Sequence, residues 1–344
     1  MIEVAASVMA LGAVGVAGFW GTNTLARRAF ATLAVAAAAA VLTGALGALV
    51  PGDPVAAALG EDASEPARHA LREEMGLNDD STVFGPLVAG GRVLTGLCSR
   101  AHPLRSLRTR ESVVDVVAAR VPASALLAAC GGVVGVVGGV VLGLLAAAAR
   151  IWRRTGSGRR AAGAVVVVDS VVAGLAALPR FVLGPALVVT FAVGWRLLPS
   201  GGVNDGLRSV LMPALTLGLP FAGVVARHVR GALLEALEQP LARTARSKGC
   251  SEFVVLMRHV LPHAWLSVVH VSALQLGVVV GGAVVVEKVF SWPGLGMLLQ
   301  DSLKKADLPV VQGVVVCAAV AIALAGMVAD VVAVIVDPRL RGRS

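Results

Sequence analysis

The sequence predicts an all-α membrane protein with six core spans and room for one more helix at its N-terminus. Three observations predict it. Only 15% of the 344 residues are charged and 57% are hydrophobic, whereas soluble domains carry roughly 25% charged residues. The mean hydropathy is +0.83. Several apolar runs reach the roughly 20 residues that a helix needs to cross the hydrocarbon core.

Residues 2–20 (IEVAASVMALGAVGVAGFW) are apolar but marginal. They suit an extra helix, a signal-like segment or an amphipathic extension; Glu3 and the lack of Lys or Arg before the apolar run fit a cleaved signal poorly. Residues 1–23 are therefore an N-terminal extension, and 24–50 hold the first core span, apolar from about 29 after Arg27 and Arg28. Residues 51–120 are polar and read as an extracytoplasmic segment, an aqueous element beside the membrane and not a second folded core. Within it Ser64 can cap a short helix that Gly76 ends.

Residues 121–344 form the core domain. Its first span, about 121–149, repeats Gly131, Gly135, Gly139 and Gly143 every four residues. Lipid gives no hydrophobic drive for helix pairing, so small residues at this spacing predict a seam for a close partner helix. The next run, 161–194, is too long for one simple crossing, and Pro179 is expected to kink or divide it. Further spans are expected at about 207–234, 264–286 and 310–336.

Charge sets the orientation. Segments 27–28, 150–160, 227–258 and 337–344 carry sixteen Arg or Lys against four acids, while 51–120 carries eight Arg against ten acids. The positive-inside bias puts the first group, and the C-terminus, in the cytoplasm and 51–120 outside. The net charge of +9 is thus a membrane-topology signal and not a sign of nucleic-acid binding. Cys98, Cys130, Cys250 and Cys317 lie far apart, which is neither a disulfide framework nor a metal pattern.

The stretch RTARSKGCSEFVVLMRHVLPHAW, 243–265, interrupts the apolar pattern. Pro240 suits a first helical position, Arg246 and Lys248 suit the carbonyl end of that helix, and Gly249 suits a left-handed close. Ser251 and Glu252 then start a second short helix, with Phe253, Val254, Leu256 and Met257 as its apolar residues. Pro262 is expected where the chain turns into the next span. From the residues alone, such an element either docks into a groove of another protein or lies on anionic lipid headgroups.

This stretch resembles the coupling loop of ABC importer permeases, whose pattern is Glu-Ala-Ala, three residues, Gly, nine residues, then Ile-x-Leu-Pro. On Gly249, Ala245 matches the third position and Leu261 and Pro262 match the end; Arg243 and Thr244 replace Glu-Ala, and His259 replaces Ile. The RTAR-KG form resembles the dipeptide/oligopeptide/nickel branch. In order, PGDP (51–54), REEMGLND (72–79), SLRTRESV (106–113), RVPAS (120–124), ALPRFVLGP (177–185), LLPSGG (197–202), LMPALTLG (211–218), FSWPGLG (290–296), PVVQG (309–313) and DPRLR (337–341) also match it. The resemblance covers about 24–342.

It implies the type I ABC importer transmembrane fold and half of a transport pathway, in the plasma (inner) membrane. A second, similar permease would pair with this chain as a heterodimer, two cytoplasmic ATPases would drive the pair, and an extracytoplasmic binding protein would deliver peptides. Nickel or a small solute such as glutathione is the alternative cargo. The ATPase-coupling loop, about 238–263, would use Arg243, Thr244, Ala245, Arg246, Lys248, Gly249, Ser251, Glu252, Leu261 and Pro262, with Ala245 and Gly249 permitting close approach and the cations pairing with acidic groove residues. FSWPGLG resembles the outer gate, with Phe290, Trp292, Pro293, Gly294 and Gly296; the alternative is an interfacial aromatic anchor. No cofactor is expected on the chain itself, ATP and Mg belonging to the ATPases. None of the four lysines follows a glycine, so a phosphate-cradling loop is lacking.

Ionisable groups inside spans default to functional candidates. Asp169 either lines the pathway or bonds within the bundle, and Asp330 is expected to pair with Arg339 or Arg341. Arg180 departs from the family's small polar residue and either alters the pathway or snorkels. Gln275 and Gln312 can contact peptide backbone or bond between helices. His259 and His263 have i,i+4 spacing, but Pro262 lies between them, and no metal site is expected. A stand-alone secondary transporter would need a repeat with interrupted helices in both halves. A membrane enzyme would need a nucleophile or acid/base constellation. Neither signal is present.

Overall fold

The computed structural model describes residues 22–49, 64–66, 85–99, 103–155 and 159–336. All of the regular structure among them is helical, apart from a single antiparallel bridge between Arg105 and Ser112. The helices are α1 (Thr22–Leu49), α2 (Gly85–Cys98), α3 (Val113–Ala118), α4 (Val121–Thr155), α5 (Arg159–Ala177), α6 (Arg180–Leu187), α7 (Leu207–Glu238), α8 (Pro240–Ser247), α9 (Glu252–Val254), α10 (Leu261–Val289), α11 (Leu295–Lys304) and α12 (Leu308–Val336). Two π-helical segments, Val188–Gly194 and Val255–Val260, follow α6 and α9 directly.

Among the described residues, Val113–Arg153, Leu207–Glu238 and Leu308–Val328 are long and apolar enough to cross a membrane. α1 and α10 have the length of a span at 28 and 29 residues. The divided span expected around Pro179 is present: Ala162–Ala177 and Arg180–Gly194 meet at 104°. Pro179 is the N-cap of α6 in an extended conformation, which ends α5 and restarts the helix in a new direction. The extension 1–21, most of the 51–84 segment and the tail 337–344 lie outside the described residues.

The chain forms two compact units, one from residues before 124 with 293–324, the other from 124–292 with residues after 324. In the first, α2 packs on α1. Ala36, Ala40, Val93, Leu97, Val113, Val117, Val310, Val314 and Cys317 bury one another. This corrects the expectation that 51–120 holds only an aqueous element. Its later part, GPLVAGGRVLTGLC, is apolar enough to bury a helix face and joins a core. Asp307, 5% exposed, fastens the adjoining loop by accepting from the Ser106 hydroxyl at 2.5 Å and the Leu107 amide at 3.2 Å.

In the second unit the glycine repeat meets α7. Cβ atoms on Gly131, Gly135, Gly139 and Gly143 would collide with Leu217, Phe221, Val225 and Val229, four residues apart on α7. The two small-residue and branched-residue ridges therefore interlock, as the spacing predicts. α7 has its own glycine, Gly223, against the backbone of Ala176 in α5.

Candidate functional site

α8 begins at Pro240, whose missing amide hydrogen costs nothing at a helix start. It ends in a Schellman turn: the Gly249 amide donates to the Arg246 carbonyl at 2.9 Å, and the Cys250 amide reaches the Ala245 carbonyl at 3.3 Å. Gly249 takes φ +81°, a conformation that a Cβ disfavours. The Ser251 hydroxyl then accepts from the Val254 amide at 3.5 Å as the cap of α9. The helix–glycine–helix element is present, with Pro240 at its first helical position, Gly249 closing the first helix and Ser251 capping the second.

Arg246 holds it together. Its Nε and Nη2 donate to the two Glu252 carboxylate oxygens at 2.7 and 3.1 Å, and Nη1 donates to the Leu237 carbonyl in the last turn of α7 at 3.3 Å. The Glu252 hydrogen bonds keep this guanidinium protonated still more firmly than usual. Arg246 is therefore engaged inside the element, whereas the family resemblance implies a cation paired with a partner's carboxylate. Ala245 is likewise 5% exposed, so its small side chain serves packing within the chain. Arg243, Thr244, Lys248 and Gly249 are exposed, together with Phe253 at 71%. Leu241, Val254 and Met257 add partly exposed apolar surface, so the outward face is basic and greasy at once.

Pro262 also differs from expectation. The chain does not turn there: residues 254–261 keep right-handed helical angles, and α9 runs through the π segment into α10 with Leu261 and Pro262 in its first turn. The wider π turn shifts the hydrogen-bond register where proline cannot donate, so the helix passes without breaking.

A cavity of about 370 Å³ lies where the α5–α6 break faces α7 and α10. Arg180, Phe221, Gln275, Val279 and Gly282 are among its lining residues. The Arg180 guanidinium reaches it with a single hydrogen bond, Nη1 to the Val278 carbonyl at 3.4 Å. It passes over Gly282, where any Cβ would collide with it.

Of the two roles open to Asp169, the structure selects bonding within the bundle. Asp169 on α5 accepts from Arg150 of α4 and Arg230 of α7, both at 2.5 Å. In the sequence, Arg150 and Arg230 stand out only as part of the basic segments that set the topology. The missed clue was an acid facing two basic helix ends. Gln312 donates to the Thr43 carbonyl at 3.4 Å, an interhelical bond. Asp330 lies in α12, but its side chain is outside the described residues, as are Arg339 and Arg341.

Phe290, 1% exposed, draws three sequence motifs together. Its carbonyl accepts from the Gly202 amide at 2.8 Å, and a Cβ on Gly201 would sit 2.5 Å from that oxygen. Gly184 of ALPRFVLGP packs beside its ring. Trp292 is 2% exposed and its amide donates to the Glu287 carbonyl at 2.7 Å, which does not suit an anchor in the membrane interface. Pro293 follows, Gly294 precedes α11, and Gly296 is buried within it. Glu287, unremarked in the sequence, is 1% exposed and accepts from the Ser124 hydroxyl at 2.6 Å. An acid three residues before the Phe-Ser-Trp-Pro motif was its signal.

Comparison with known proteins sets this geometry in context. The profile of the family described as binding-protein-dependent transport system inner membrane component matches residues 139–342. The probable peptide ABC transporter permease protein y4tP of Sinorhizobium fredii is 32% identical over 336 residues, 92% of this chain and 98% of its own length. The glutathione transport system permease protein GsiC of Escherichia coli K12 is 32% identical over 293 residues, 85% of this chain and 90% of its own. Among solved structures, the MetNI methionine ABC transporter in inward-facing conformations matches with a TM-score of 0.54. It is 21% identical and covers 64% of this chain and 96% of the matched chain. At that identity the likeness is one of fold.

Proposed function

Because this chain belongs to the family of binding-protein-dependent transport system inner membrane components, we infer that it forms half of the transmembrane pathway of an ATP-driven importer for di- and oligopeptides. It is a multi-pass membrane permease subunit with an ABC importer fold, a transport component and not an enzyme. The finer reading has the C-terminus and the 238–263 loop in the cytoplasm, a second, similar permease as heterodimeric partner, and two ATPases that bind ATP and Mg. An extracytoplasmic binding protein delivers the cargo.

One observation carries the coupling role. The exposed basic and apolar face of Arg243, Lys248 and Phe253 is mounted on a rigid turn and runs without a break into a spanning helix. Closure of the ATPases on ATP would move that face, and α10 would carry the motion into the bundle. Peptide cargo is supported by relatives named for peptides and glutathione. It is supported too by Arg180, whose cation in the α5–α6 cavity repels a metal-ion cargo such as nickel.

The test is reconstitution of the chain with a second permease, ATPases and a binding protein of the same family from its own genome. Adding peptide-loaded binding protein should raise ATP hydrolysis and drive peptide uptake. Gly249→Asp should insert normally and hydrolyse ATP without uptake. Uptake that needs no ATPase, or full uptake in Gly249→Asp, would reject the reading.

A further inference from the structure

We propose that the cavity at the α5–α6 break is a carboxylate-binding subsite of the transport pathway, with Arg180 as the residue that reads the cargo's anionic group. The inference deepens the importer reading and rests on it.

An arginine inside a spanning segment is costly unless something answers its charge. Among the described residues, nothing in the cavity does. Its lining residues are apolar apart from Arg180 and Gln275. The acid on the neighbouring helix, Asp169, is committed to Arg150 and Arg230. Glu287 of α10 is 1% exposed and accepts from Ser124. Arg180 carries five N–H donors, and one long bond to the Val278 carbonyl uses a single one of them.

The guanidinium is also aimed. Gly282 leaves the space through which it reaches across to α10, and alanine there would take that space. Snorkelling would instead point the head toward the bilayer surface. Arg180 is the first residue of α6, immediately past the 104° break that ends α5.

The remaining contents suit a peptide end. The planar fork of arginine matches a carboxylate with two parallel hydrogen bonds. Gln275 offers an amide that can both donate and accept, as a peptide unit requires. The volume of about 370 Å³ falls in the range of small-ligand pockets.

The experiment uses the complete transporter in proteoliposomes and a mixed-sequence tripeptide pool, supplied once as free acids and once as C-terminal amides. The binding protein is the same throughout, so its own preference cancels in the ratio of acid to amide uptake between variants. The wild type should favour the acids. Arg180→Gln should shrink that preference roughly ten-fold, the loss of one charge-assisted pair. Arg180→Lys should keep part of it. Gly282→Ala, which retains the arginine but crowds it, should move the ratio in the same direction. An unchanged ratio in Arg180→Gln and Gly282→Ala overturns the subsite while leaving the importer intact. A ratio that changes only in vesicles containing anionic lipid assigns Arg180 to headgroups and also overturns it. Failure of the wild type to take up either pool defeats the peptide-importer reading, and the subsite with it.

Discussion

Arg246 grips Glu252 through both oxygens of its carboxylate, and the two residues stand on opposite sides of a glycine turn. The third arm of the same guanidinium reaches back to Leu237 in α7. A single side chain thus fixes the angle between the short helices and the spanning helix that leads into them.

Breaking that clamp should cost little stability and much coupling. Both side chains are about one-third exposed, at 37% and 35%, so the pair contributes no more than about 1 kcal/mol. Arg246→Ala or Glu252→Ala should leave the melting temperature nearly unchanged. Peptide uptake per ATP hydrolysed should fall several-fold, and the charge-swapped double variant should recover part of it. A stable single variant with wild-type coupling would show that the turn alone sets the angle.

The ion triad in the bundle should respond asymmetrically. Asp169→Asn leaves Arg150 and Arg230 facing each other without an anion, whereas Arg150→Gln leaves one intact pair. The first should lower stability by about 1–3 kcal/mol and the second by less. Thermal unfolding of the purified protein in detergent checks the order. The reverse order would mean that Arg150 serves something other than Asp169.

The glycine seam should tolerate no bulk. Gly139→Leu drives a side chain into Val225 and Ala222 of α7, an overpacking that costs about 1–3 kcal/mol or more. Gly174→Ala on α5 meets nothing within 4 Å and should be neutral. Folded yield and melting temperature, compared side by side, test the pair. Equal melting temperatures for the two variants would overturn the seam, since helix propensity by itself favours both substitutions over glycine.

Asp307 should hold the 104–112 loop closed. Asp307→Ala removes the acceptor for Ser106, itself 1% exposed, and for the Leu107 amide. A buried donor left unpaired costs about 1–3 kcal/mol, which corresponds to roughly ten-fold more opening or greater. Trypsin cleavage after Arg108 or Arg110 should accelerate by that factor. An unchanged rate would mean that the loop is fastened elsewhere, for instance by Arg108 to the Lys305 carbonyl.

What the sequence revealed follows from how local each signal is. Glycines every four residues announce a seam because one helix carries the whole pattern, and Gly249 announces a turn because its neighbours are cap residues. The Pro179 break was legible for the same reason. The partners of Asp169 were not, since Arg150 and Arg230 lie on other helices and only packing brings them together. Pro262 misled because a proline normally ends a helix, and the π segment before it leaves no trace in composition. Arg246 misled differently: a basic residue in an exposed loop gives no hint of whether its charge is already answered.

The uninterrupted run from Glu252 to Val289 makes a rod roughly 55 Å long at 1.5 Å per residue. A tilt of about 5° at one end would displace the other by roughly 5 Å, close to one helical turn. A hinge at Pro262 would have absorbed such a tilt; a stiff beam delivers it to Phe290, where the Gly201–Gly202 loop and α6 meet it.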